Sequence, residues 1–109
     1  MKDDFLTKWN SQVKKGLLSY VVLSIIRKKT CYGLEIIEAV KTVVDIDIAE
    51  GTLYPLLNRL KKEGLVEAKW VEQGSGIPRK YYHLTNDGDE ALKQMRVYWE
   101  NINLSISKL

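Results

Sequence analysis

The chain has 109 residues, 45% of them hydrophobic and 28% charged, with two prolines and a formal charge of +3. That length buries one core and leaves no room for a second domain, and the ordinary balance of apolar and charged residues excludes wholesale disorder. The small positive excess is compatible with a polyanionic partner without identifying one, and a single cysteine, Cys31, excludes an internal disulfide and a cysteine-based zinc site.

From Asp3 to Lys14, Phe5, Trp9 and Val13 recur every four residues, which predicts a short amphipathic helix whose aromatic stripe needs a cover. Met1-Lys2-Asp3-Asp4 sets acidic residues where a signal peptide requires a basic and then an apolar region, so the expected location is cytoplasmic. Leu17 to Ile26 is nearly all apolar and suits a buried strand as well as a helix by composition. Its length and the cations Arg27-Lys28-Lys29 at its end favour a core helix. Ser19 and Ser24 interrupt the run, which is about half the ~20 residues of a membrane span, so no membrane partner is expected.

Thr30 or Cys31 opens a second helix, with Thr30 the better N-cap, Leu34, Ile37 and Val40 facing inward, and an end near Thr42. Val43 to Ile48 alternates apolar and acidic residues and reads as a short extended segment. Leu53, Leu56, Leu57 and Leu60 mark a third helix closed by Gly64. Pro55 lacks an amide proton and is cheapest in a first turn, so the regular helix is expected from Thr52, after a distorted turn.

Beyond Gly64 the period becomes alternating, with Val66, Ala68 and Trp70 on one side and Glu67 and Lys69 on the other, the pattern of a strand. Gln73 to Pro78 has the glycines and proline of a hairpin loop, and Arg79 to Leu84 forms the returning strand. Thr85 or Asn86 caps a long last helix with Asp87, Asp89 and Glu90 in its first turn. The predicted class is mainly α with a small β-hairpin: a winged helix-turn-helix over residues 1–85, N-terminal helix included, and a C-terminal helix over 86–109, together one structural unit.

In that fold the leucine stripe of the third helix leaves Gly51, Pro55, Asn58 and Lys62 facing outward, flanked by Thr52, Tyr54, Arg59 and Lys61. A major groove accepts such a face: Asn58 has the donor and acceptor for adenine, while Arg59 and Lys62 suit phosphate or guanine. Arg79 and Lys80, on the wing, are placed to follow the phosphate backbone. Tyr32 opens the helix that crosses that backbone; its hydroxyl reaches a phosphate or its ring packs against the third helix. His83 is the sole histidine, with no convergent partners for metal or triad chemistry, and Gly74-Ser75-Gly76 lies between strands instead of before a helix. No enzyme and no cofactor are expected.

The last helix spaces Leu92, Met95, Trp99, Ile102, Ile106 and Leu109 three and four apart, the seam of a helix that packs along another. The N-terminal helix as predicted is too short to cover it. A homodimer joined along this seam, completed by Phe5, Trp9 and Val13, accounts for both stripes.

Tyr32-Gly33-Leu34-Glu35-Ile36, then Gly51-Thr52-Leu53-Tyr54-Pro55-Leu56-Leu57 with Arg59-Leu60, then Pro78-Arg79-Lys80-Tyr81-Tyr82 and Leu84-Thr85 with Gly88, closely resemble the PadR family of transcriptional regulators. The single C-terminal helix is similar to that of the short subgroup. One departure is Ile77, where relatives usually carry a basic residue near the wing tip, so the tip is expected to grip a groove less strongly. The resemblance implies duplex DNA as partner, an inverted-repeat operator, a repressor role, and release by a small molecule. It also implies a slot for planar aromatic effectors, with Trp99 opposite its symmetry mate, Trp9 nearby, Met95 beside it, and Asp89, Glu90 or Glu100 favouring cations. The alternative class is a helical dimer that binds a small molecule or another protein without DNA.

Overall fold

The computed structural model describes residues 2–74 and 76–109; Met1, and Ser75 in the expected hairpin loop, lie outside them. One uninterrupted helix, α1 (Lys2–Lys28), replaces the two helices expected at the N-terminus. Lys15 and Gly16 lie between the two expected stretches, and a glycine inside a helix costs only about 1 kcal/mol relative to alanine. Leu18, Val22, Leu23 and Ile26 are all buried from the second half of α1, each contributing roughly 1.5–3 kcal/mol. Packing therefore outweighs propensity and the helix runs through. Residues 3–15 are exposed apart from the half-buried Val13.

A two-residue strand, β1 (Cys31–Tyr32), follows, where a helix start had been expected. It pairs with the later hairpin, and α2 (Gly33–Val44) begins only after it. Tyr32, not Thr30, is the N-cap residue, and it makes no side-chain cap. Instead its backbone N–H donates to the Glu35 Oε1 at 3.2 Å, the acidic half of a capping box. This later start rotates the helix: Gly33, Ile36 and Val40 are buried, while Leu34, expected inside, is 56% exposed. Val43 and Val44 complete α2 and are not extended, and Asp45 closes it in a left-handed conformation at φ 55°.

The third helix, α3 (Glu50–Lys62), starts before Thr52 and carries Pro55 in its second turn. Its ring removes the amide that would bond the Gly51 carbonyl. Both residues are exposed, so that carbonyl is not stranded in the core. Inward, Leu53, Leu56, Leu57 and Leu60 are buried. Gly64, at φ 78°, ends the helix with its N–H on the Lys61 carbonyl and the Leu65 N–H on that of Leu60, both 3.0 Å. These two bonds form a Schellman motif.

Strands β2 (Val66–Val71) and β3 (Arg79–Leu84) form the expected hairpin, and β1 adds to β3, giving a three-stranded antiparallel sheet in the order β1-β3-β2. The register sets Val66 against Leu84, Ala68 against Tyr82 and Trp70 against Lys80. That face lies on the core at its Val66 end and runs out beyond it at Trp70, which is 64% exposed.

The last helix, α4 (Asn86–Ile106), is capped by Thr85, whose Oγ1 accepts the Gly88 N–H at 3.0 Å. The same hydroxyl donates to the Gly64 carbonyl at 2.6 Å, tying α4 to the end of α3. A Cβ at Gly88 would overlap the Leu65 carbonyl oxygen, a backbone atom that moves only with the whole turn. Gly88→Ala is therefore expected to lower stability by about 1–3 kcal/mol, read as an earlier urea midpoint at unchanged slope.

Candidate nucleic-acid interface

The exposed side of α3 and the hairpin enclose a groove of about 520 Å3, with Tyr54, Asn58 and Glu50 on the helix side and Trp70, Arg79, Lys80 and Tyr82 on the sheet side. Tyr32, Gly33 and Leu34 close one end. The leucine stripe sets this arrangement: with Leu53 and Leu57 fully buried, Tyr54 and Asn58, one residue further round, are turned toward the hairpin. Tyr54 crosses to α2 and packs its ring over Gly33, which fixes the distance between the two helices.

Alternation along β3 sends its two cations to opposite faces of the sheet. The Arg79 guanidinium lies over the Tyr32 ring, 4.4 Å from the centroid. Lys80 points into the groove, its Nζ 5.7 Å from the Trp70 ring and 5.9 Å from that of Tyr82. Among the described residues, neither cation has a carboxylate within ion-pair distance. Both charges are therefore available to an anion.

Of the residues singled out from the sequence for DNA, the groove brings together Tyr32, Tyr54, Asn58, Arg79 and Lys80. Gly51, Thr52, Pro55 and Lys62 are exposed along α3 outside the groove. Arg59 is turned the other way: its guanidinium donates to the Ser19 hydroxyl of α1 at 3.3 Å, on the side of α3 away from the hairpin. Glu50, Leu34, Trp70 and Tyr82 were not anticipated as groove residues. For Trp70 and Tyr82 a signal existed, since pairing the strands across the glycine-rich loop places both beside Lys80. At the wing, Ile77 is 75% exposed.

Elsewhere, His83 Nε2 stands 3.8 Å from Glu67 Oε1 across the hairpin, and among the described residues no cluster of His, Cys, Asp or Glu could hold a metal ion. Cys31 is buried, its Sγ 3.1 Å from the Lys29 carbonyl, and burial pushes the thiol's pKa up, away from the reactive thiolate.

A second groove, of about 650 Å3, opens where α1 and α4 diverge, between Val13, Gly16, Leu17 and Tyr20 on one side and Met95, Tyr98, Trp99 and Ile102 on the other. Met95 and Trp99 of the expected effector site line it; Trp9 does not. Two seam residues are displaced from their expected places. Leu92 is 2% exposed within the chain's own core, because the second half of α1 reaches far enough to cover the start of α4. Leu109 lies beyond the end of α4. Trp99 is 41% exposed, and Ile106, Phe5 and Trp9 are more so. Asp89, expected to attract a cation, is held by Arg27 at 3.0 Å and Lys93 at 3.4 Å. The Arg27 bond first, then Lys93, keeps its carboxyl below the ordinary range.

Residues 22–94, more than half of the chain, match the transcriptional regulator PadR-like family. A PadR family transcriptional regulator from Eggerthella lenta has the same fold with a TM-score of 0.90 and 32% identity, over 98% of this chain and 93% of that one. A PadR-like transcriptional regulator from Bacillus cereus is 33% identical with a TM-score of 0.80, over 89% of this chain and 94% of that one. A Lysinibacillus sphaericus protein is 32% identical across 84% of this chain and 86% of its own length. With a winged helix whose groove presents asparagine, arginine and lysine, and with these relatives along nearly its whole length, the chain belongs to the PadR-like family of transcriptional regulators, DNA-binding proteins and not enzymes.

Proposed function

We propose that the protein is a cytoplasmic, ligand-responsive repressor that occupies an inverted-repeat operator as a homodimer. The observation that carries this reading is the meeting of Asn58 on α3 with Arg79 and Lys80 on β3 at a single groove. One element reads base edges while the other neutralises phosphates, the division of labour that duplex recognition requires. Among the described residues no helix is long and apolar enough to cross a membrane, which is consistent with a regulator that works at DNA. The exposed apolar side chains of α1 and α4, Phe5, Trp9, Trp99 and Ile106, suit a two-fold interface, and two-fold symmetry calls for a two-fold operator. Footprinting on the DNA upstream of its own gene is expected to show two half-sites about one helical turn, roughly 10 bp, apart. A single unrepeated site would refute the dimer reading, and protection no stronger than on a random duplex would refute the operator.

For the effector, the groove beside Trp99 and Met95 supports a planar aromatic molecule, preferably cationic, since indole faces attract positive charge. Asp89 contributes little there, being already paired with Arg27 and Lys93, and Glu100 is the exposed carboxylate one residue from the indole. Titration with a planar cationic dye is expected to quench tryptophan fluorescence and saturate at one dye per dimer. Trp99→Ala should abolish that quenching while remaining dimeric; undiminished dye binding by the variant would remove Trp99 from the site.

A further inference from the structure

We propose that Tyr32 serves DNA binding through the face of its ring, as the residue that positions Arg79, and not through its hydroxyl. The inference rests on the DNA-binding reading above and deepens it. An exposed arginine is a rotamer-rich side chain, and fixing it on a phosphate sacrifices that freedom unless it is already fixed beforehand. Here it is: the Arg79 guanidinium carbon lies 4.4 Å from the centroid of the Tyr32 ring.

The ring is itself a fixed platform. Its backbone N–H is held by Glu35 at 3.2 Å, and Tyr81, its cross-strand partner, meets it edge to face at 5.4 Å and 73°. Tyr81 and Arg79 are two apart on β3 and so share a sheet face, which makes Arg79 the diagonal neighbour of Tyr32. A guanidinium at this distance can lie flat on the ring, and stacking of that kind would engage its flat side and leave its in-plane N–H donors free for a phosphate. On the other face the adjacent Lys80 has its ammonium near two rings, 5.7 Å from that of Trp70 and 5.9 Å from that of Tyr82, a contact of charge without stacking. Both wing cations thus lie over aromatic rings, and among the described residues no carboxylate stands within ion-pair distance of either.

The test is a fluorescence-anisotropy titration of a labelled random-sequence duplex over a series of salt concentrations. Tyr32→Phe is expected to bind as the wild type does, and Tyr32→Leu to lose about two- to fivefold in affinity, both at the wild-type salt slope. Arg79→Ala lowers the slope by roughly 0.9, and adding Tyr32→Leu to it has no further effect. Arg79→Lys leaves Tyr32 and the sheet untouched, keeps the slope, and loses affinity as Tyr32→Leu does, because an ammonium has no planar fork to stack. Independently of DNA, the Arg79 δ-methylene protons are expected upfield by proton NMR in the wild type and Tyr32→Phe, and not in Tyr32→Leu. A loss in Tyr32→Phe equal to that in Tyr32→Leu assigns the role to the hydroxyl and overturns the proposal. An equal effect of Tyr32→Leu with or without Arg79, or unshifted Arg79 protons in a wild type that binds duplex, overturns it too. A wild type that binds no duplex at low salt, with the upfield shift present, overturns the DNA reading and with it the role, while the stacking stands.

Discussion

Ile102→Asp is expected to convert the protein to monomers and to weaken its hold on an inverted-repeat operator by about 100-fold or more. Ile102 lines the α1–α4 groove and is only half-buried within its own chain, so an aspartate there stays in contact with water in the isolated subunit and the fold survives. Two copies brought together along α4 would bury that carboxylate twice, at several kcal/mol for each. The interface fails while the winged helix does not, and each half-site is then bound by one recognition helix alone. Sedimentation velocity at micromolar concentration reads the assembly, and circular dichroism confirms the retained helices. A variant that remains dimeric would place the interface elsewhere; a wild type that is monomeric would remove the dimer and the two-fold operator together.

Asn58→Ala and the pair Arg79→Ala, Lys80→Ala should weaken binding in distinguishable ways. Asn58 stands on the groove side of α3, where a bidentate contact to one base distinguishes it from the others by roughly 1–3 kcal/mol. Its loss should leave the salt slope almost unchanged and flatten preference at one operator position, by about 5- to 150-fold. On the proposed reading the wing pair contacts charge and not sequence, so its loss should weaken operator and random duplex alike and lower the salt slope by roughly 0.9 for each phosphate released. Affinity measured across salt concentrations on operator, single-position variants and random duplex separates the two. If Asn58→Ala weakens every duplex equally, α3 is not the reading element.

Residues within one element announced themselves where their pattern was long or their chemistry local. The leucines of α3, the glycine that ends it and the alternation of β2 stand where the sequence alone placed them, and Thr85, one of the two caps the sequence offered, is the one used. The three ordered motifs from Tyr32 to Gly88 also sufficed to recognise the family. Errors came where a distant part of the chain decided the outcome. β1 is two residues long, with no period to detect, and exists because β3 offers it hydrogen-bond partners some fifty residues on. That pairing delays α2 and turns Leu34 outward. Two separate patterns suggested two helices, but burial of Leu18, Val22 and Leu23 carries one helix through, and the resulting long α1 covers Leu92, which a helical seam alone had assigned to a partner subunit.

The candidate groove divides the same way. The sequence by itself determined which side chains point outward from α3 and which residues of the wing are cationic, because helical and strand periodicity need no partner to operate. Only the tertiary structure decided that Arg59 turns to α1 and that Tyr32 carries Arg79 on its ring. Those contacts join residues from different elements, and their geometry is set by how α3 and the sheet pack on one core.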